Sequence, residues 1–87
     1  MIAMTREQAI EKVFAELRRA EKRFGPFASH HEGYAVILEE LDELWDEIKK
    51  RDVDALRLQH EAIQVAAMSL RFLFDCCAQG EWGRNDA

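Results

Sequence analysis

The chain has 87 residues, 48% of them hydrophobic, a length that favours one domain with a small core. Its 12 lysines and arginines against 17 aspartates and glutamates give a formal charge of -5, which disfavours nucleic acid polymers and anionic membrane surfaces and favours cations or cation-bridged anions. The adjacent Cys76 and Cys77 fit neither a disulfide framework nor a zinc site, and no run is apolar enough for a signal peptide or a membrane span, so we expect a soluble cytoplasmic protein.

Three helices are predicted. Thr5 with Gln8 forms a capping box, and Ile10, Val13, Phe14, Leu17 and Phe24 keep helical spacing until Gly25 and Pro26, which gives a first helix over 5–24. Ser29 with Glu32 forms a second box ahead of a helix over 29–50, whose apolar stripe is Tyr34, Ile37, Leu38, Leu41, Leu44, Trp45 and Ile48. Tyr34 and Trp45 read as core on this pattern. Asp52 is the expected cap of a third helix over 53–78, with Leu56, Ile63, Ala66, Ala67, Leu70, Leu73 and Phe74 on its main apolar face. A second row, Leu58, Ala62, Val65, Ser69 and Phe72, is also apolar or small and is expected to meet another subunit. Residues 79–87, with two glycines and no periodicity, read as a flexible tail carrying Trp82. The expected fold is thus all-α: a small antiparallel bundle of three main helices over 1–78, completed by oligomerisation.

The second helix carries an unusual run, "EELDELWDE", with no base until Lys49. Asp46 and Glu47 have Lys49, Lys50 and Arg51 within three or four positions, so that end reads as ordinary surface chemistry. Glu43 differs: its neighbours at those spacings are Glu39, Glu40, Asp46 and Glu47, and each like-charge contact costs about 0.2–0.5 kcal/mol in an isolated helix. Glu39 to Glu43 also lie beyond the first turn, where the helix dipole favours negative charge. Something outside the helix must neutralise them. Carboxylates on adjacent turns suit Mg²⁺ or Mn²⁺, with water and phosphate completing the coordination. The third helix offers a polar stripe of Arg57, Glu61, Gln64, Met68, Arg71 and Asp75, from which Glu61 can add a ligand. The competing solution is a salt-bridge network in which Arg57 and Arg71 neutralise the acidic helix without metal.

Glu39-Glu40-Leu41-Asp42-Glu43 has the form EExxE, and Glu61-Ala62-Ile63-Gln64 on the following helix is close to ExxD. In this the chain resembles the all-α, MazG-like nucleoside triphosphate pyrophosphohydrolases, over the second and third helices and their linker. The resemblance implies a helical homodimer or homotetramer that uses Mg²⁺ to cleave a nucleoside triphosphate to the monophosphate and pyrophosphate. It implies Glu39, Glu40, Glu43 and Glu61 as metal ligands, with a carboxylate of the EExxE set orienting the attacking water. The family's final Asp is Gln64 here. An amide ligates through its carbonyl oxygen but brings no charge, which leaves Glu61 alone, or Asp75 further on, as the third helix's carboxylate. Arg57, Arg71 and His31 are candidates for substrate contact.

Other signatures fail. Neither His31-Glu32 nor His60-Glu61 completes HExxH, and no histidine follows a glutamate by three positions as a di-iron bundle requires. His30 and His31 are expected to be exposed beside the Ser29 cap, and Cys76 and Cys77 to be buried thiols. Two functions remain in contention: a Mg²⁺-dependent nucleoside triphosphate pyrophosphohydrolase, and a noncatalytic helical interaction module whose acidic helix is neutralised by arginines. The first requires Glu39, Glu43 and Glu61 to converge; the second puts guanidinium groups among them.

Overall fold

The computed structural model describes residues 3–78, and these are all-helical: α1 (Arg6–Arg23), α2 (His30–Ile48), α3 (Ala55–Phe72) and a π-helical turn, Leu73–Cys77, that extends α3. The expected tail, 79–87, lies outside the described residues. Each helix starts at a side-chain cap. Thr5 Oγ1 accepts from Gln8 N at 3.1 Å while Gln8 Oε1 accepts from Thr5 N at 2.9 Å, the reciprocal capping box. Ser29 Oγ accepts from Glu32 N at 3.0 Å, but the Glu32 carboxylate reaches one residue further back, to Ala28 N at 2.7 Å. The third cap corrects the sequence expectation. Asp54, not Asp52, caps α3, its Oδ1 accepting from Leu56 N at 2.9 Å and Arg57 N at 3.3 Å. A capping carboxylate serves the amides two and three positions on, so the helix begins after Asp54.

α3 is the spine. It packs against both α1 and α2, whereas α1 and α2 barely touch each other. Leu17 and Ala20 of α1 meet Ala67 and Met68 of α3 in the core, with Val13, Val36, Ile37, Leu70 and Phe74 packed around them. At the other junction, α2 enters the bundle over an aromatic ring. A methyl group at Gly33 would lie 2.4 Å from Phe72 Cδ2, so only glycine permits this approach.

α2 is turned about its axis relative to the sequence expectation. Gly33, Val36, Ile37, Glu40, Leu44 and Glu47 are the covered positions, and they form one helical stripe. Tyr34, Leu38, Leu41, Trp45 and Ile48 face outward instead, with Tyr34 64% and Trp45 55% exposed, so neither is core within one chain. On α3 the supposedly polar stripe is the inward one: Gln64, Met68 and Arg71 are buried, and Glu61 and Asp75 are partly so. Of its expected apolar faces, Leu56, Ala62, Ser69 and Leu73 are exposed. The two helices therefore bring polar groups into their interface beside the apolar core and leave several large apolar side chains outside.

Candidate metal centre

That rotation brings carboxylates together. Glu40 and Glu43, one turn apart on α2, meet Glu61 from the second turn of α3, with one oxygen of each within 4.8 Å of the others. Glu40 and Glu61 are half-buried and Glu43 is exposed, so the group sits at the mouth of the α2–α3 interface. Partial burial, a hydrogen bond with Glu43 and the charges of Glu43, Glu61 and Glu39 push the Glu40 carboxyl up to about 7. Burial and the neighbouring carboxylates both favour the protonated form.

No guanidinium or ammonium group pairs with Glu39, Glu40, Glu43 or Glu61 among the described residues; Glu61 has only the His60 imidazole, 3.9 Å away. The arginines expected as competitors are engaged elsewhere. Arg57 lies 3.9 Å from Asp54 at the start of α3. Arg71 is buried, donates to the Gly25 carbonyl at 2.9 Å, lies 4.0 Å from the centre of the Phe27 ring and pairs with Asp75 at 3.8 Å. Asp75 in turn accepts from Phe27 N at 3.1 Å. These contacts fasten the α1–α2 linker to the end of α3, and they place Asp75 with that linker, away from the carboxylate cluster.

Of the four expected carboxylates, three converge. Glu39 is exposed and stands beside the group rather than in it, lining a cleft of about 730 Å³ that opens between α1 and α2 over α3. Gln64 is buried in the wall of the same cleft, on the side lined by Glu16 of α1. The bonded Arg19 guanidinium holds the Glu16 carboxyl below its ordinary value against partial burial, and Gln64 adds to the effect. An aspartate at 64 would set a second negative charge against Glu16, which gives the amide a local reason. His31 is exposed near the start of α2 and does not line the cleft.

The sequence reading missed α1. Glu16, Arg19 and Arg23 line the cleft opposite Glu39 and Glu40. The signal was their spacing: they stand four before, one before and three after Ala20, which is buried against α3. The cysteines are not the buried pair expected, since Cys77 is exposed and Cys76 only half-buried. Burial and the neighbouring Asp75 charge push the Cys76 thiol up, the wrong direction for a nucleophile. No helix among the described residues is long and apolar enough to cross a membrane. No protein-family model matches the chain, and neither does any curated protein or solved structure.

Proposed function

We propose that this protein is a Mg²⁺-dependent nucleoside triphosphate pyrophosphohydrolase that cleaves a ribo- or deoxyribonucleoside triphosphate to the monophosphate and pyrophosphate. The observation that carries this reading is the convergence of Glu40, Glu43 and Glu61 from two helices with no lysine or arginine paired to them among the described residues. The donor set suits the ion: hard carboxylate oxygens at the mouth of an interface, with room for water and phosphate. Mg²⁺ or Mn²⁺ held there would neutralise triphosphate charge and lower the pKa of water. Glu40, Glu43 and Glu61 are the proposed ligands. Glu39, at the edge of the cleft, is the carboxylate we assign to orient the attacking water. Gln64 is part of the cleft wall and favours the charged form of Glu16. The linker contacts of Arg71 favour a structural role over the substrate contact considered from sequence, and the resemblance in EExxE order supports the reaction class.

The outward stripe of Tyr34, Leu38, Leu41, Trp45 and Ile48 supports a homodimer or homotetramer, since a monomer would leave this row of large apolar groups in water. A cytoplasmic setting accords with the free thiols. The interaction-module alternative is weakened because Arg57 and Arg71 neutralise Asp54 and Asp75 instead of the acidic helix.

Calorimetric titration with Mg²⁺ and Mn²⁺, alone and with a nonhydrolysable nucleoside triphosphate, tests the reading. Metal binding should tighten with nucleotide and vanish in Glu43→Gln. Pyrophosphate release should fall by about two orders of magnitude or more in that variant while the fold is retained. Absence of metal binding with and without nucleotide would refute the assignment.

A further inference from the structure

The charges around the cleft differ by wall. Arg19 and Arg23, one turn apart, line the α1 side with Glu16, which pairs with Arg19 and leaves that wall net basic, while Glu39 and Glu40 stand on the α2 side, next to the carboxylate cluster. A simple cation would be repelled by the first wall and a bare anion by the second. A polyphosphate with a bound divalent cation meets both requirements: its cation faces the carboxylates, and its free oxygens face the guanidinium groups. Building on the proposed function, we propose that Arg19 and Arg23 of α1 are the phosphate-binding residues of this site, pairing directly with the polyphosphate chain.

Arg23 has no carboxylate partner among the described residues, which leaves its donors for a ligand. It belongs to the last turn of α1 and also lies over the Phe24 ring, 5.5 Å from its centre. Arg19 is held by Glu16, with Nε donating at 2.9 Å and a second bond from Nη2. Its guanidinium is more than half exposed, so its remaining donors can turn to phosphate without giving up that pair. The Arg19–Glu16 bond then serves as a positioning contact, fixing the planar fork beside the cleft.

The test is calorimetric titration of the full chain, in Mg²⁺, with two probes: an α,β-methylene nucleoside triphosphate and inorganic tripolyphosphate. Arg23→Gln and Arg19→Gln are compared with the native protein and with Glu43→Gln, and thermal melts verify folding. Each arginine variant should weaken both probes by roughly tenfold to a hundredfold, the scale of a lost charge-assisted bond. Arg23→Lys should recover part of the loss, because the charge returns without the two-pronged geometry. Unchanged binding of both probes in the arginine variants would overturn the proposal while loss in Glu43→Gln upheld the metal-site reading. Weakening confined to the nucleotide probe would move the arginines from phosphate to base or sugar and would also overturn it. Failure of the native protein to bind Mg²⁺ with or without either probe would bring down the proposed function, and this assignment with it.

Discussion

Two clusters of charge lie along α3, and they are built on opposite plans. Near its C-terminal end, Arg71 and Asp75 bring unlike charges together, with the guanidinium side chain 7% exposed and the carboxylate side chain 0%. Every contact named for them ends on the protein: the Gly25 carbonyl, the Phe27 amide, the Phe27 ring. Near its start, Glu61 meets Glu40 and Glu43 with no counter-charge from lysine or arginine among the described residues. One cluster pairs opposite charges and fixes a linker. The other gathers like charges that could hold a metal ion. That difference, more than the number of acids on α2, separates a structural charge cluster from a ligand site.

The largest effect should come from opening the closed cluster. Arg71→Met keeps much of the apolar stem but removes the guanidinium that pairs with the buried Asp75 carboxylate and bonds the Gly25 carbonyl, and urea denaturation should show a loss of about 3–5 kcal/mol. In a domain this small, that approaches the whole of the folding free energy. A loss under about 1 kcal/mol would mean that the linker is held by its aromatic packing and that the contrast with the acidic cluster is overstated.

The open cluster should respond with the opposite sign. Glu40 is raised from an ordinary value near 4.5 to about 7, so the folded state holds its proton more tightly than the unfolded chain does. Its favourable contribution is fully present below about pH 4.5 and is lost as the pH rises through 7. Melting temperatures should decline across that interval without metal. Glu40→Gln should flatten the decline and gain, after allowance for solvent screening, no more than about 1 kcal/mol at pH 8. Mg²⁺ should stabilise the native protein more at pH 8 than at pH 5, because protonated Glu40 is a poor ligand. A native melting curve indifferent to pH between 4.5 and 8 would remove the argument that the cluster lacks its neutralising partner.

Much of this organisation was legible in the sequence, and the reason is local. Thr5, Gln8, Ser29 and Glu32 act within a few residues, so their pattern reveals two helix starts directly. Glu43, with acids at every helical neighbour, likewise announces unbalanced charge. The orientation of α2 was not legible, because amphipathic patterning says which face is apolar but not whether this chain or another copy covers it. Here the packed stripe runs through Gly33, where absence of a side chain admits the Phe72 ring, and this turns Trp45 outward and Glu40 inward. The role of Arg71 depended on contacts with Gly25 and Phe27, more than forty residues away in the chain, which no spacing rule reports.

Glu47 provides the finest division between the two plans. It belongs to the same acidic run as Glu43, yet it is buried on the inward stripe and bonded to Lys50 at 2.8 Å, the pairing that the sequence spacing implied. Its Oε1 is buried with no hydrogen-bond partner, so Lys50 is its chief compensation among the described contacts. Lys50→Ala should therefore cost stability, by only about 0.5–1 kcal/mol because the lysine is half exposed. Adding Glu47→Gln to that variant should recover part of the loss, since the neutral side chain no longer needs the ammonium group. At Glu43 the same Glu→Gln change should leave stability level or raise it by a few tenths of a kcal/mol, because it removes like-charge contacts. Urea titrations of these variants, without metal, thus divide one acidic run by sign: Glu47 pairs with a lysine, whereas Glu43 pairs with no lysine or arginine among the described residues.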